Sequence, residues 1–106
     1  MLNELCEKYH QRAIDAGWYK QKRTAAELAV LIASECFEIF ESYRNNTLDD
    51  LCDKGIELTA LEEEVADVAI RLFDMCGYLG IDLDLVVEKK GDYNLTRGQR
   101  HGGKLL

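Results

Sequence analysis

The chain contains no proline. Nothing in it forces a backbone kink or removes an interior amide donor, so long uninterrupted helices are open to it. It has no run of about 18 consecutive apolar residues, which excludes a membrane-spanning helix. Its opening residues, Met1-Leu2-Asn3-Glu4, are polar and acidic and do not read as a secretory signal. The four cysteines, Cys6, Cys36, Cys52 and Cys76, form no Cys-x-x-Cys pair. Three of them, Cys6, Cys36 and Cys76, fall inside helical apolar patterns. All four are read as reduced thiols of a cytoplasmic protein, those three being small buried residues rather than zinc ligands or disulfides. Basic residues are scarce: 13 against 20 acidic ones, a net charge of −7. That balance argues against a nucleic-acid partner or an anionic membrane surface, both of which need a basic face. It leaves room for a small anionic ligand, because a bound cation inverts the local field.

The chain is 106 residues long, with 47% apolar and 31% charged residues, the profile of one globular domain. No internal repeat or low-complexity stretch divides it. Four helical segments are expected. The first runs from about Leu2 to Ala16, with Gly17 as its stop. The second starts at the capping box Thr24-Ala25-Ala26-Glu27 and carries Leu28, Leu31, Ile32, Ile39 and Phe40 at helical spacing to about Arg44. A loop follows over 48–58, with room for one turn of helix at Leu48–Cys52. A second capping box, Thr59-Ala60-Leu61-Glu62, opens the third helix, which ends near Gly77–Gly80. Asp82 caps a fourth over Leu83 to about Lys90 or beyond. The expected fold class is all-α, a four-helix-type bundle completed by oligomerisation, with a flexible basic tail over about 95–106.

Two pairs of carboxylates stand out. Glu35 and Glu38 are three apart on the second helix, and Glu64 and Asp67 are three apart on the third. That spacing puts each pair on one face of its helix. Glu35 shares a stripe with Leu28, Leu31, Ile32 and Ile39, and Glu64 lies between Leu61 and Val68, so both face inward. Burying carboxylates together is costly and raises their pKa values, unless something positive sits between them. All four donors are oxygens, a set that selects Mg²⁺, Mn²⁺ or Ca²⁺ over zinc. Mg²⁺ commonly joins a few carboxylates to substrate phosphates. Glu41, Glu62, Glu63 and Asp74 read as surface acids or supports to those ligands. Glu7-Lys8-Tyr9-His10 holds one Glu-x-x-His, where a di-iron bundle needs two, so His10 reads as an ordinary helix residue.

Ser34-Glu35-Cys36-Phe37-Glu38, a gap of 25 residues, and Glu64-Val65-Ala66-Asp67 follow the order Glu-x-x-Glu then Glu-x-x-Asp. In this the chain resembles the MazG-like all-α nucleoside triphosphate pyrophosphohydrolases. The stretch Glu63 to Leu72, the run Cys76 to Leu83, and the Lys-x-x-x-Asn element made by Lys90 and Asn94 extend the likeness. The ending Arg100-His101-Gly102-Gly103-Lys104 looks like that of one MazG-like subgroup. The resemblance covers about Trp18 to Lys104. It implies hydrolysis of a nucleoside triphosphate between the α and β phosphates, giving a nucleoside monophosphate and pyrophosphate. It also implies a homodimer or homotetramer with the site partly built between subunits.

On that reading Glu35, Glu38, Glu64 and Asp67 form the catalytic metal site and hold Mg²⁺, with Mn²⁺ as a substitute. Lys90, Asn94 and Arg97 meet the phosphates. Five of the 13 basic residues lie in the last 18 positions, which suits an anion-facing segment. Trp18 either stacks on the base or plugs the end of the bundle. Lys20, Lys22 and Arg23, just before the second helix, lie within reach of phosphates. The alternative is a non-catalytic helical module that binds metal or nucleotide without turning it over.

Overall fold

Two capping boxes and an absence of proline favour helix from the start, and helix is what forms. The computed structural model describes residues 1–97. It consists of α1 (Leu2–Asp15), α2 (Ala25–Arg44), α3 (Ala60–Leu79) and α4 (Leu83–Leu95). No β-strand is present among the described residues; one isolated antiparallel bridge joins Leu51 to Thr59 in the α2–α3 connection. No helix of the described residues is long and apolar enough to cross a membrane.

Both capping boxes close. The Thr24 hydroxyl accepts from the Glu27 amide at 3.1 Å, and the Glu27 carboxylate accepts from the Thr24 amide at 3.3 Å. At Thr59 and Glu62 the matching distances are 3.1 and 2.9 Å. Each box satisfies amides that a helix start otherwise leaves without partners. Gly80 ends α3 with φ 69°, a left-handed conformation that glycine adopts without strain. Asp82 accepts from the Leu85 amide at 3.1 Å and starts α4. α4 runs on through Gly91 to Leu95, so Lys90 and Asn94 are both helix residues.

α1 and α2 each lie along α3, and α4 rests on α1. The α1–α3 approach is close because position 77 has no side chain. A β-carbon there would stand 2.6 Å from the His10 Cβ and 2.7 Å from the Cys6 carbonyl oxygen. α4 is tied to α1 by a reciprocal cap. Asp84 accepts from the Leu2 and Asn3 amides at 3.0 and 3.1 Å, and the Asn3 side chain accepts from the Asp84 amide at 3.2 Å.

The buried core is small. Cys6, Cys76 and Leu83 form its centre, with Leu2, Leu72, Phe73 and Ile81 packed around them. Leu28 is the buried residue of α2. Two expectations fail here. Cys36 is exposed rather than buried. Phe40, expected to face the core, is half exposed. The physical reason is the same for both. α2 has one principal neighbour, α3, so the far side of its apolar arc meets little else among the described residues. The radius of gyration, 16.2 Å, exceeds the roughly 13 Å of a compact domain this long and reflects that open packing.

Candidate metal centre

α2 and α3 run side by side, and three of their four paired acids meet. Glu35 from α2 and Glu64 and Asp67 from α3 each place one carboxylate oxygen so that all three lie within 4.8 Å of one another. All three residues are half-buried. Glu38, one turn beyond Glu35, is exposed and stands outside this group. Its charge still reaches Glu64 and adds to the pressure on it.

The cluster is short of positive charge. Burial raises the Glu64 carboxyl above its ordinary value, and the negative charges of Asp67, Glu63, Glu35 and Glu38 raise it further. Asp67 is raised for the same reasons, burial first and then Glu35 and Glu63, with Arg71 and Lys54 pulling the other way. Lys54, from the α2–α3 connection, is engaged at 2.6 Å by Glu63 and at 2.9 Å by Asp53. The donor set is entirely oxygen, half-buried and in charge deficit, which fits a hard divalent cation.

Arg71 was not anticipated from the sequence. Its Nε donates to Glu35 Oε1 at 2.9 Å, and its guanidinium lies 4.4 Å from the centre of the Trp18 ring. The available signal was its place inside the apolar run Val68-Ala69-Ile70-Arg71-Leu72-Phe73, one helical turn after Asp67. A cation at such a position needs an anion to face.

Beside the cluster lies an open cleft of about 430 Å³, walled by Tyr9, Arg12, Trp18, Ile70 and Arg71, with Glu35 and Asp67 at one end and Asp74 at the other. That volume falls within the roughly 300–1,000 Å³ of small-molecule sites. Asp74, read from the sequence as a surface acid or a support to the ligands, is not at the surface. It is 7% exposed and accepts from the Tyr19 hydroxyl at 2.7 Å, with His10 Nδ1 at 2.9 Å from its other oxygen. Burial and the bond to Asp74 push the Tyr19 phenol well up. His10 is therefore no bystander. It also packs edge-on against Tyr19 and Tyr78, which stack on each other at 4.4 Å.

The residues expected to meet a substrate are placed unevenly. Trp18 lines the cleft. Lys22 is exposed in the α1–α2 connection and is not among the lining residues. Lys90, Asn94 and Arg97 stand on or just after α4, whose neighbour is α1, and none of them lines the cleft. Lys90 and Arg97 each lie over the Tyr93 ring, at 4.8 and 5.7 Å. The Asn94 side-chain oxygen is buried without a hydrogen-bond partner among the described residues. Arg100 and Lys104, and most of the tail expected over 95–106, lie outside the described residues.

Compared with known proteins, the chain matches no protein-family model, no curated protein and no solved structure.

Proposed function

We propose that the chain is a Mg²⁺-dependent nucleoside triphosphate pyrophosphohydrolase of the MazG-like kind, acting on cytoplasmic nucleotides. Water adds across the α–β phosphoanhydride of a ribo- or deoxynucleoside triphosphate, and a nucleoside monophosphate and pyrophosphate leave. The observation that carries this reading is the meeting of Glu35, Glu64 and Asp67 within 4.8 Å, two of them with raised pKa values. These three would hold Mg²⁺, or Mn²⁺ in its place, with Glu38 completing the set from the solvent side. The metal would supply charge neutralisation for the phosphates and a more acidic water.

The chain's own residues have separate tasks. The half-buried carboxylates hold one end of the cleft negative until a cation arrives. The Trp18 ring forms a flat apolar wall against which a base can lie. Lys90, Asn94 and Arg97 do not face the cleft of their own chain, and we assign them to the site of a second copy. The open packing and the exposed Val30, Phe37 and Phe40 of α2 support a homodimer or homotetramer.

One observation favours a second reading, a metal- or nucleotide-binding module without turnover. Arg71 already places a positive charge on Glu35, so part of the cluster is compensated without any metal. The deciding experiment measures pyrophosphate and monophosphate release from a panel of ribo- and deoxynucleoside triphosphates with Mg²⁺. Turnover by wild type and its loss in Asp67→Asn are expected. A folded wild type that binds nucleotide but releases no product from any of them would establish the second reading instead.

A further inference from the structure

Arg71 sits where two demands meet. Its Nε holds Glu35 Oε1 at 2.9 Å, and its guanidinium lies over the Trp18 ring, 4.4 Å from the ring centre. The Arg71 side chain is 24% exposed and that of Glu35 15%, so the pair is partly shielded from water. The carboxylates facing this point are Glu35, Glu64 and Asp67, with Glu63 and Glu38 close enough to act through charge. Among the described residues the cations acting on Asp67 are Arg71 and Lys54, and Lys54 is taken up by Glu63 and Asp53. Arg71 is thus the cation bonded to one of the three clustered carboxylates.

We propose that Arg71 is a displaceable counter-ion: it holds Glu35 while the acidic cluster carries no metal, and yields Glu35 when a divalent cation binds. This rests on the metal-site reading above. A guanidinium and a divalent cation at one half-buried carboxylate repel each other across a shielded distance, so their occupancies compete. The released guanidinium does not have to leave the site. It is tethered one turn after Asp67 and borders the cleft, where an anionic ligand would lie. Its planar fork fits phosphate as well as carboxylate. Cation binding therefore frees the group that receives the anion, and this orders the two binding events: metal first, anion second.

Trp18 is the only tryptophan in the chain, and Arg71 stacks on it. Its emission therefore reports the position of Arg71. The test titrates Mg²⁺ into wild type, Arg71→Gln and Arg71→Lys, following heat and Trp18 emission together. Arg71→Gln is expected to bind Mg²⁺ about tenfold more tightly than wild type, equivalent to ~1.4 kcal/mol. Arg71→Lys, which keeps a charge, stays close to wild type. Mg²⁺ shifts Trp18 emission in wild type and leaves it unchanged in Arg71→Gln. Inorganic phosphate added to the Mg²⁺-loaded proteins binds wild type more tightly than Arg71→Gln. Weaker or equal Mg²⁺ binding by Arg71→Gln overturns the proposal, since Arg71 would then only position Glu35. Should Arg71→Gln not fold, wild type alone decides, because Mg²⁺ heat with unchanged Trp18 emission overturns it. No Mg²⁺ heat in wild type overturns the metal site itself, and this inference with it.

Discussion

His10 and Asp74 meet at 2.9 Å across the seam between α1 and α3, with the Tyr19 hydroxyl closing on the other carboxylate oxygen at 2.7 Å. Three segments converge on one buried acid. Asp74→Ala leaves two polar groups facing each other without their acceptor, at a cost of roughly 2–4 kcal/mol. Tyr19→Phe is expected to cost about 1 kcal/mol. Urea unfolding of both variants and of the double variant checks this. The double variant should lose less than the sum, because the two changes remove one shared bond.

Gly77 and Gly91 make a matched pair. Both are helical, but a β-carbon at 77 would press on His10 and the Cys6 carbonyl, whereas one at 91 meets nothing within 4 Å. Gly77→Ala is expected to destabilise by about 1–3 kcal/mol, since backbone cannot yield as a side chain does. Gly91→Ala is expected to stabilise by roughly 0.5–1 kcal/mol through helix propensity. Opposite signs in thermal melts are the check.

The acidic cluster sets a pH dependence with a definite sign. Glu64 and Asp67 are raised above their ordinary values of 4.5 and 3.8. A raised carboxyl means that the folded chain takes up protons more readily than the unfolded one. Above the raised values the full penalty is present, and stability in EDTA is regained as pH falls through them toward 4.5 and 3.8. Urea midpoints from neutral pH down to about pH 4 measure the slope. In Asp67→Asn the slope is expected to flatten, and at neutral pH that variant should be the more stable protein in EDTA.

Mg²⁺ should reverse that order. At a hundred times its dissociation constant, a ligand of the folded state adds ~2.7 kcal/mol. Wild type is therefore expected to melt several degrees higher in saturating Mg²⁺ than in EDTA, and Asp67→Asn to show little change. Equal Mg²⁺ responses in the two proteins would remove Asp67 from the metal site.

The helices were legible because their signals are local. Thr24, Thr59 and Asp82 cap helix starts through hydrogen bonds to amides three residues away, and such bonds depend on nothing distant. The inward placing of Glu35 and Glu64 was legible for a related reason, since both lie within an apolar stripe, whereas Glu38, at the same three-residue spacing, is exposed. The burial of Asp74 was not. Its partners, His10 and Tyr19, lie 64 and 55 residues away. Without them an aspartate late in a helix reads as a surface group. Cys36 and Phe40 failed for the converse reason, since an apolar pattern states what a face would bury and not whether a neighbour exists to bury it.

The sequence by itself determined four helices, their starts, and which acids lie on common faces, because caps and periodicity act within a few residues. The tertiary structure decided the rest. The α2–α3 pairing brought Glu35 to Glu64 and Asp67, the close approach at Gly77 brought His10 to Asp74, and Arg71 reached Glu35 and Trp18 through the same packing. Each of these contacts joins residues far apart in the chain. Long-range charge and hydrogen-bond partners are chosen by how helix surfaces fit together, and that fit is a property of the assembled helices.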